Sequence, residues 1–322
     1  MGFLNRVDPE LVPGLSDMEV VKSPTSSNEL QAFRQDYARL LRDRAKAARP
    51  LEGIARDDFE VPCFDGAGTL LLRRYSPKSV ITPAPAIYWI HGGGMIVGSV
   101  EGDDIYCETL ANETQVIVLS IDYRLAPENG SATPVEDAFA GLQWAVEHAG
   151  LLNIDPERVA VAGGSAGGGL AAGVAMLARD RYGPRILFQH LLYPMLDDRE
   201  TTISSQEFSG IPSWSPENNR FAWQCLLGPA VGTSEVSPYV APARMPDLAG
   251  LPPTLIQVGE LDTFRDEDID FAARLMQAGV RTELHVYPAA YHAWDVYNPA
   301  ARLTVQAYRD RNEAFRRALW DQ

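Results

Sequence analysis

The feature that most constrains the fold is a serine enclosed by small residues at a junction between two patterns. The motif Gly-Gly-Ser-Ala-Gly at 163–167 follows the apolar stretch 158–162 and precedes a helix-like segment. Glycines at such a junction permit a sharp turn that no bulkier residue tolerates. The motif therefore has the sequence form of a nucleophile elbow, in which a strand turns into a helix and exposes a serine.

A serine hydroxyl becomes a good nucleophile only when a base takes its proton and donors hold the resulting oxyanion. Candidate donors lie in a second glycine cluster, His-Gly-Gly-Gly at 91–94, directly after the apolar stretch 86–90. Asp262 and His292 each follow a downstream strand candidate. The chain order Ser, Asp, His is that of the α/β-hydrolases, and chymotrypsin and subtilisin have different orders.

Five histidines compete for the role of base. His91 precedes the glycine cluster and is interpreted as a brace for that loop. His148 ends a helix, and His190 and His285 lie inside strands. His292 occupies a loop beyond the C-terminal end of a strand, where α/β sheets place their sites. Two acids near Asp262, Glu260 and Asp266, compete with it as the partner of that base.

With these motifs the chain resembles the hormone-sensitive-lipase-like (bacterial family IV) esterases of the α/β-hydrolase fold. Four motifs carry the resemblance in the family's order, from about residue 60 to the end. They are the glycine cluster at 91–94, Tyr-Arg-Leu-Ala-Pro-Glu at 123–128, the elbow at 163–167, and the stretch 262–267 followed by His292.

The resemblance implies a catalytic role for each of three side chains. Ser165 would be the nucleophile and His292 the base, and the family register selects Asp262 as the partner of that base. Backbone N–H groups would form the oxyanion hole; they belong to Gly93, Gly94 and Ala166. No metal ion or organic cofactor is implied.

The chain departs from the family pattern near the elbow and near the base. Gly164 stands where the family usually has Asp or Thr, and Ala293 stands where Gly commonly follows the histidine. Met95 stands where an aromatic residue is frequent, and we expect it to form a soft wall of the substrate pocket.

Alternation of short apolar strands with helical patterns predicts a mostly parallel sheet with helices on both faces. Predicted strands cover 58–64, 69–75, 86–90, 115–121, 158–162, 186–192, 254–258 and 282–287; predicted helices include 29–48, 135–149, 166–179 and 268–278. Glycines in the third of these helices match the residue spacing of a dinucleotide-binding fingerprint, but they lie after the turn that Ser165 occupies. We therefore interpret them as small residues that allow close packing.

Two segments are predicted to cover the site. The resemblance implies a helical cap formed by residues 1–50 and by an insertion at 198–227, above a catalytic domain of 51–197 and 228–322. Aromatic residues in the insertion suggest a lid over something apolar, and we expect Phe208 and Trp214 to contact the substrate. The alternative is that these aromatic rings merely anchor the insertion to the core.

Composition excludes some partners. The net charge of −15 would repel nucleic acid and anionic membranes. No apolar run approaches the roughly 20 residues of a membrane span. Cys63, Cys107 and Cys225 are widely separated, which argues against disulfides and cysteine-rich metal sites and favours a cytoplasmic location.

The sequence thus predicts a serine carboxylesterase for short- to medium-chain acyl esters, acting through an acyl-enzyme. Lactones, carbamates or amides could use the same triad. A noncatalytic ligand-binding homologue, similar to plant gibberellin receptors, is a second hypothesis that His292 disfavours. Family members often dimerise through an edge strand, and 282–287 is the candidate strand for a homodimer.

Overall fold

An eight-stranded sheet forms the centre of the computed structural model, which describes residues 2–20, 24, 26–47 and 51–321. The strands follow the order β1-β2-β4-β3-β5-β6-β7-β8, and only the pairs β1–β2 and β2–β4 are antiparallel. Their bounds are β1 Ile54–Pro62, β2 Thr69–Pro77, β3 Ala84–Ile90, β4 Ile117–Ile121, β5 Ile154–Gly164, β6 Phe188–Leu192, β7 Thr254–Leu261 and β8 Thr282–Tyr291. The predicted α/β-hydrolase architecture is confirmed.

Helices cover both faces of this sheet. Their bounds are α1 Val12–Val20, α2 Ser27–Ala47, α3 Asp104–Thr114, α4 Thr133–Glu147, α5 Ala149–Leu152, α6 Ala166–Asp180, α7 Ser204–Glu207, α8 Pro216–Leu227, α9 Arg265–Gln277, α10 Trp294–Tyr297 and α11 Arg302–Leu319. Helices α4, α6 and α9 contribute to one core cluster, and α3 and α11 to another. Alternate residues of β3 serve the two clusters, since Tyr88 lies in the first and Trp89 in the second.

Several predicted elements are confirmed with shifted ends. Strand β4 begins at Ile117 rather than Gln115, because Gln115 ends α3 in a left-handed conformation with φ of 55°. Helix α9 begins three residues before the predicted position, and β8 continues to Tyr291. Ala48 and Pro50, where the first long helix was expected to end, lie outside the described residues, as does Met1.

Strand β8 lies at an edge of the sheet, which is where an edge-strand dimer would form. Dimerisation there stays a prediction that light scattering would test. Within the described ranges, no helix has the length and apolar character needed to cross a bilayer.

Candidate active site

The elbow places Ser165 at the start of a buried helix. Its backbone has φ of 57° and ψ of −122°, a strained conformation that its neighbours hold in place. The Ser165 N–H donates to the Leu192 carbonyl at 2.9 Å, and the Ser165 carbonyl accepts from the Met195 N–H at 3.0 Å. These two bonds tie the turn to the end of β6.

Two glycines that flank Ser165 lie so close to backbone carbonyl groups that no side chain fits there. A Cβ at Gly163 would overlap the Gly167 carbonyl, and one at Gly167 would overlap the Ile90 carbonyl. Gly164 differs, because its added Cβ would meet Tyr193 at 3.7 Å and Trp89 at 3.8 Å, which are ordinary contacts. The glycines that suggested a dinucleotide fingerprint lie inside α6 and pack against backbone, as interpreted from the sequence.

The three side chains that the resemblance singled out form a hydrogen-bonded chain. His292 Nε2 lies 3.0 Å from Ser165 Oγ, and His292 Nδ1 lies 2.9 Å from Asp262 Oδ2. The other Asp262 oxygen accepts from the Phe264 N–H at 2.9 Å, so both carboxylate oxygens are engaged. All three residues are buried, which strengthens each of these bonds.

Aromatic rings fix the plane of the His292 imidazole. Its ring meets the edge of Tyr193 with centroids 4.7 Å apart and that of Phe264 at 5.1 Å. The Tyr193 hydroxyl donates to Asp295 Oδ1 at 2.8 Å, three residues after His292. Burial raises the pKa of the Asp295 carboxyl. Tyr193 therefore connects the imidazole ring to the Asp295 side chain, three residues further along the chain.

Three backbone amides stand near the serine, at Gly93, Gly94 and Ala166. Gly93 and Gly94 have φ of 110° and 60° and line the cavity that contains Ser165, while Ala166 opens α6 directly after the serine. None of these amides donates to an acceptor within the part of the chain that the structure describes. The geometry leaves them available to a negatively charged oxygen at the elbow.

The competing histidines and acids have structural contacts instead. His91 Nδ1 lies 2.8 Å from the Gly92 carbonyl, and its ring stacks on Tyr123, consistent with a brace for the glycine loop. Glu260 accepts from the Ala289 N–H at 2.9 Å, and Asp266 accepts from the Ser204 N–H at 2.8 Å. Neither acid contacts His292.

The cavity above Ser165 has a volume of about 1440 Å³, and its walls come from distant segments. Trp214 of the insertion lines it and lies 2.5 Å from where a Gly94 Cβ would stand. The sequence motifs do not identify the other residues that line the cavity, which include Phe33, Tyr37, Leu41, Trp89, Asp103 and Tyr193. The apolar periodicity of α2 is the signal that could have identified the first three.

Two residues predicted to contact the substrate, Met95 and Phe208, are not among the residues that line this cavity. Met95 is 1% exposed and belongs to the main core cluster, and its backbone has a positive φ of 61°. Phe208 is 2% exposed and packs on Phe3, with the guanidinium groups of Arg6 and Arg265 over its ring. For Phe208 the alternative interpretation holds, in which an aromatic ring anchors the insertion.

Cofactor ligands are not grouped in the described residues. No set of three or more His, Cys, Asp or Glu side chains there is placed to hold a metal ion. Cys63 and Cys107 are buried free thiols, and Cys225 is a half-buried one.

Comparisons with known proteins agree with this geometry. A family model described as the alpha/beta hydrolase fold matches residues 87–296. Carboxylesterase NlhH of Mycobacterium tuberculosis is 34% identical over 80% of this chain and 81% of its own length. Ethyl acetate hydrolase of Pseudomonas putida is 30% identical over 89% of this chain and 91% of its own.

Among solved structures, one titled "Bacterial Heroin Esterase" superposes with a TM-score of 0.93 at 37% identity, covering 98% of each chain. These relatives and neighbours are esterases, so the chain is an enzyme of the carboxylic ester hydrolase class. It belongs to the hormone-sensitive-lipase-like family of the α/β-hydrolase fold.

Proposed function

We propose that this enzyme hydrolyses short- to medium-chain acyl esters through a Ser165–His292–Asp262 triad and an acyl-enzyme intermediate. The observation that carries the proposal is the continuous hydrogen-bonded chain from Ser165 Oγ through His292 to Asp262. That chain ends at a large cavity with an apolar wall, as an ester substrate requires.

In the first half of the reaction, His292 Nε2 takes the proton of Ser165 as Oγ attacks the ester carbonyl carbon. Asp262 holds the proton on Nδ1 and stabilises the imidazolium that forms. The amides of Gly93, Gly94 and Ala166 would receive the oxyanion; one such donor is worth roughly 3 kcal/mol of barrier.

Collapse of the tetrahedral intermediate breaks the bond to the alcohol oxygen, and His292 returns its proton to that oxygen. Water then attacks the acyl-enzyme with His292 again acting as base, which releases the acid and restores Ser165. Each step uses a group already in place, so no further residue is required for proton transfer.

Two features support small acyl groups. Trp214 lies against Gly94 beside the proposed oxyanion site and limits the space there. The relative named ethyl acetate hydrolase acts, by that name, on an acetate ester, and its similarity covers nearly the whole chain.

The test is hydrolysis of 4-nitrophenyl acyl esters of increasing chain length, with Ser165→Ala as the control. We expect activity to peak at short to medium chains and to vanish in the variant while its thermal melt is retained. A folded wild-type protein without activity on any chain length would refute the proposal.

Lactones, carbamates and amides are the second candidate class, because the nucleophile and oxyanion donors serve acyl transfer in general. A leaving nitrogen needs its proton from the same His292 Nε2 that would protonate an alcohol. Parallel assays of a matched ester and amide would measure this preference, and we expect the ester to react faster.

A further inference from the structure

The insertion at 198–227 bonds the loops that present the acid and the base, through two hydroxyl groups that take no part in proton transfer. Ser213 Oγ donates to the His292 carbonyl at 3.0 Å, and Thr263 Oγ1 donates to the Trp214 carbonyl at 2.8 Å. Thr263 directly follows Asp262 in the chain. Two neighbouring residues of the insertion therefore bond the base itself and the residue next to the acid.

Both hydroxyl groups are buried. Ser213 is 3% exposed, and Thr263 is fully buried. Loss of such a hydroxyl would leave a buried carbonyl group without its donor, which makes these bonds costly to break. The Thr263 carbonyl also accepts from Ser204 Oγ at 3.0 Å, and Ser204 is another buried residue of the insertion. The loop that carries the acid is thus bonded to the insertion at two points.

Residues 213 and 214 have a defined position because they directly precede a capped helix. The Ser215 N–H donates to Asn218 Oδ1 at 3.1 Å, and the Asn218 N–H donates to Ser215 Oγ at 3.4 Å. This reciprocal capping box defines where α8 begins. Helix α8 in turn buries Phe221 and Trp223 in the main core cluster. Core packing therefore fixes the segment that bonds the catalytic loops.

The Trp214 ring adds a third contact to the same region. Its centroid lies 6.4 Å from that of the His292 imidazole, and a ring carbon lies 2.5 Å from where a Gly94 Cβ would stand. The hydrogen bonds within the triad are 2.9 and 3.0 Å long. A displacement of about 1 Å can reduce the rate of such a centre roughly a hundredfold. Support at these loops therefore bears directly on turnover.

We propose that Ser213 and Thr263 are positioning residues through which the insertion holds His292 and Asp262 within hydrogen-bond distance. The insertion is then a supporting part of the catalytic centre as well as a wall of the cavity. This inference rests on the proposed esterase function and adds to it the residues outside the triad that keep acid and base aligned.

The experiment measures kcat and KM of Ser213→Ala with a 4-nitrophenyl ester. We expect kcat to fall about tenfold while KM changes less than about twofold, because the cavity walls keep their side chains. The matched control is Ser205→Ala, since Ser205 is also a buried serine of the insertion. Its Oγ donates to the Thr202 carbonyl at 2.8 Å, within the insertion itself. This control should lose a similar amount of thermal stability and keep the wild-type kcat.

Thr263→Val is the second variant, and it gives an independent measurement if Ser213→Ala does not fold. It keeps the shape of the side chain and removes the hydroxyl that bonds the Trp214 carbonyl. We expect the same pattern, with a lower kcat at nearly constant KM.

A wild-type kcat in either variant would overturn the positioning role of that residue. An equal loss of kcat in Ser205→Ala, or a rise in KM at constant kcat, would overturn the proposal as a whole and leave the esterase function intact. Absence of ester hydrolysis in the wild-type protein would instead refute the proposed function.

Discussion

The floor and the walls of the catalytic cavity are built in different ways. On the floor, Ser165 and the glycine loop lie within a few residues of a strand end, and backbone conformation sets their positions. The walls are side chains from segments far apart in the chain, such as Phe33 on α2 and Trp214 in the insertion. Local motifs therefore encode the chemistry, and long-range packing determines which ester fits.

Substitutions of the reacting side chains at the floor should reduce activity strongly even when the new side chain has the same shape. Asp262→Asn keeps the size of the side chain but removes the charge that holds the His292 tautomer, and we expect kcat to fall about 10⁴-fold. Asp266→Asn is the matched control, since that acid bonds Ser204 and Arg265 rather than His292. Equal losses in the two variants would contradict the choice of Asp262.

Neighbouring glycines of the elbow should differ sharply in their tolerance of a methyl group. Gly163→Ala forces a Cβ onto the Gly167 carbonyl, and we expect the free energy of unfolding to fall by about 3 kcal/mol. Gly164→Ala makes ordinary contacts only, so its effect on stability should stay within about 0.5 kcal/mol. Urea denaturation of both variants measures the difference, and similar values would show that the elbow relaxes.

For the same reason, the sequence alone predicts the floor of the cavity better than its walls. The glycine cluster and the elbow directly follow predicted strands, and the acid and the base lie about four and five residues after theirs, so topology brings all four to the C-terminal ends of the parallel strands. Met95 and Phe208 could not be placed in this way. Met95 lies in the core with a positive φ, and Phe208 packs against Phe3, about 200 residues earlier in the chain; neither long-range packing nor φ can be read from a local motif.

Tyr193 lies where floor and wall meet, and its loss should affect turnover more than binding. Tyr193→Phe removes the bond to the Asp295 side chain and loosens the ring that contacts the His292 imidazole, so we expect kcat to fall about tenfold with little change in KM. Tyr88→Phe is the control, because it loses a buried bond to the Ala138 carbonyl away from the cavity. A rise in KM at constant kcat would make Tyr193 a binding residue instead.

Asp268, a buried residue of α9, should make stability depend on pH. Both of its oxygens are buried without hydrogen-bond partners among the described residues, and burial raises its pKa well above the usual range. The folded state then keeps a proton that the unfolded chain has lost, so stability falls as pH rises above the ordinary carboxyl pKa. The slope is at most about 1.4 kcal/mol per pH unit.

Asp268→Asn removes this titration, so the stability of the variant relative to wild type should increase between pH 4 and pH 8. Glu267, whose pKa burial also raises and whose charge helps to raise that of Asp268, remains in both proteins. Chemical denaturation at the two pH values measures the difference. A stability difference that does not change with pH would show that Asp268 is solvated or paired in solution.

The smallest expected effect concerns Ala293, which follows His292 at a position where the family commonly has Gly. Ala293 adopts a left-handed conformation with φ of 60°, which costs a residue with a Cβ about 1 kcal/mol. Ala293→Gly removes that strain but adds chain entropy to the unfolded state, so we expect a net gain of about 0.5 kcal/mol. Ala278→Gly, at φ of −79°, has no strain to relieve and should destabilise the protein. If both variants lose stability, the left-handed conformation of Ala293 carries no strain in the folded protein. Tertiary packing, rather than local backbone preference, would then determine the backbone conformation next to His292.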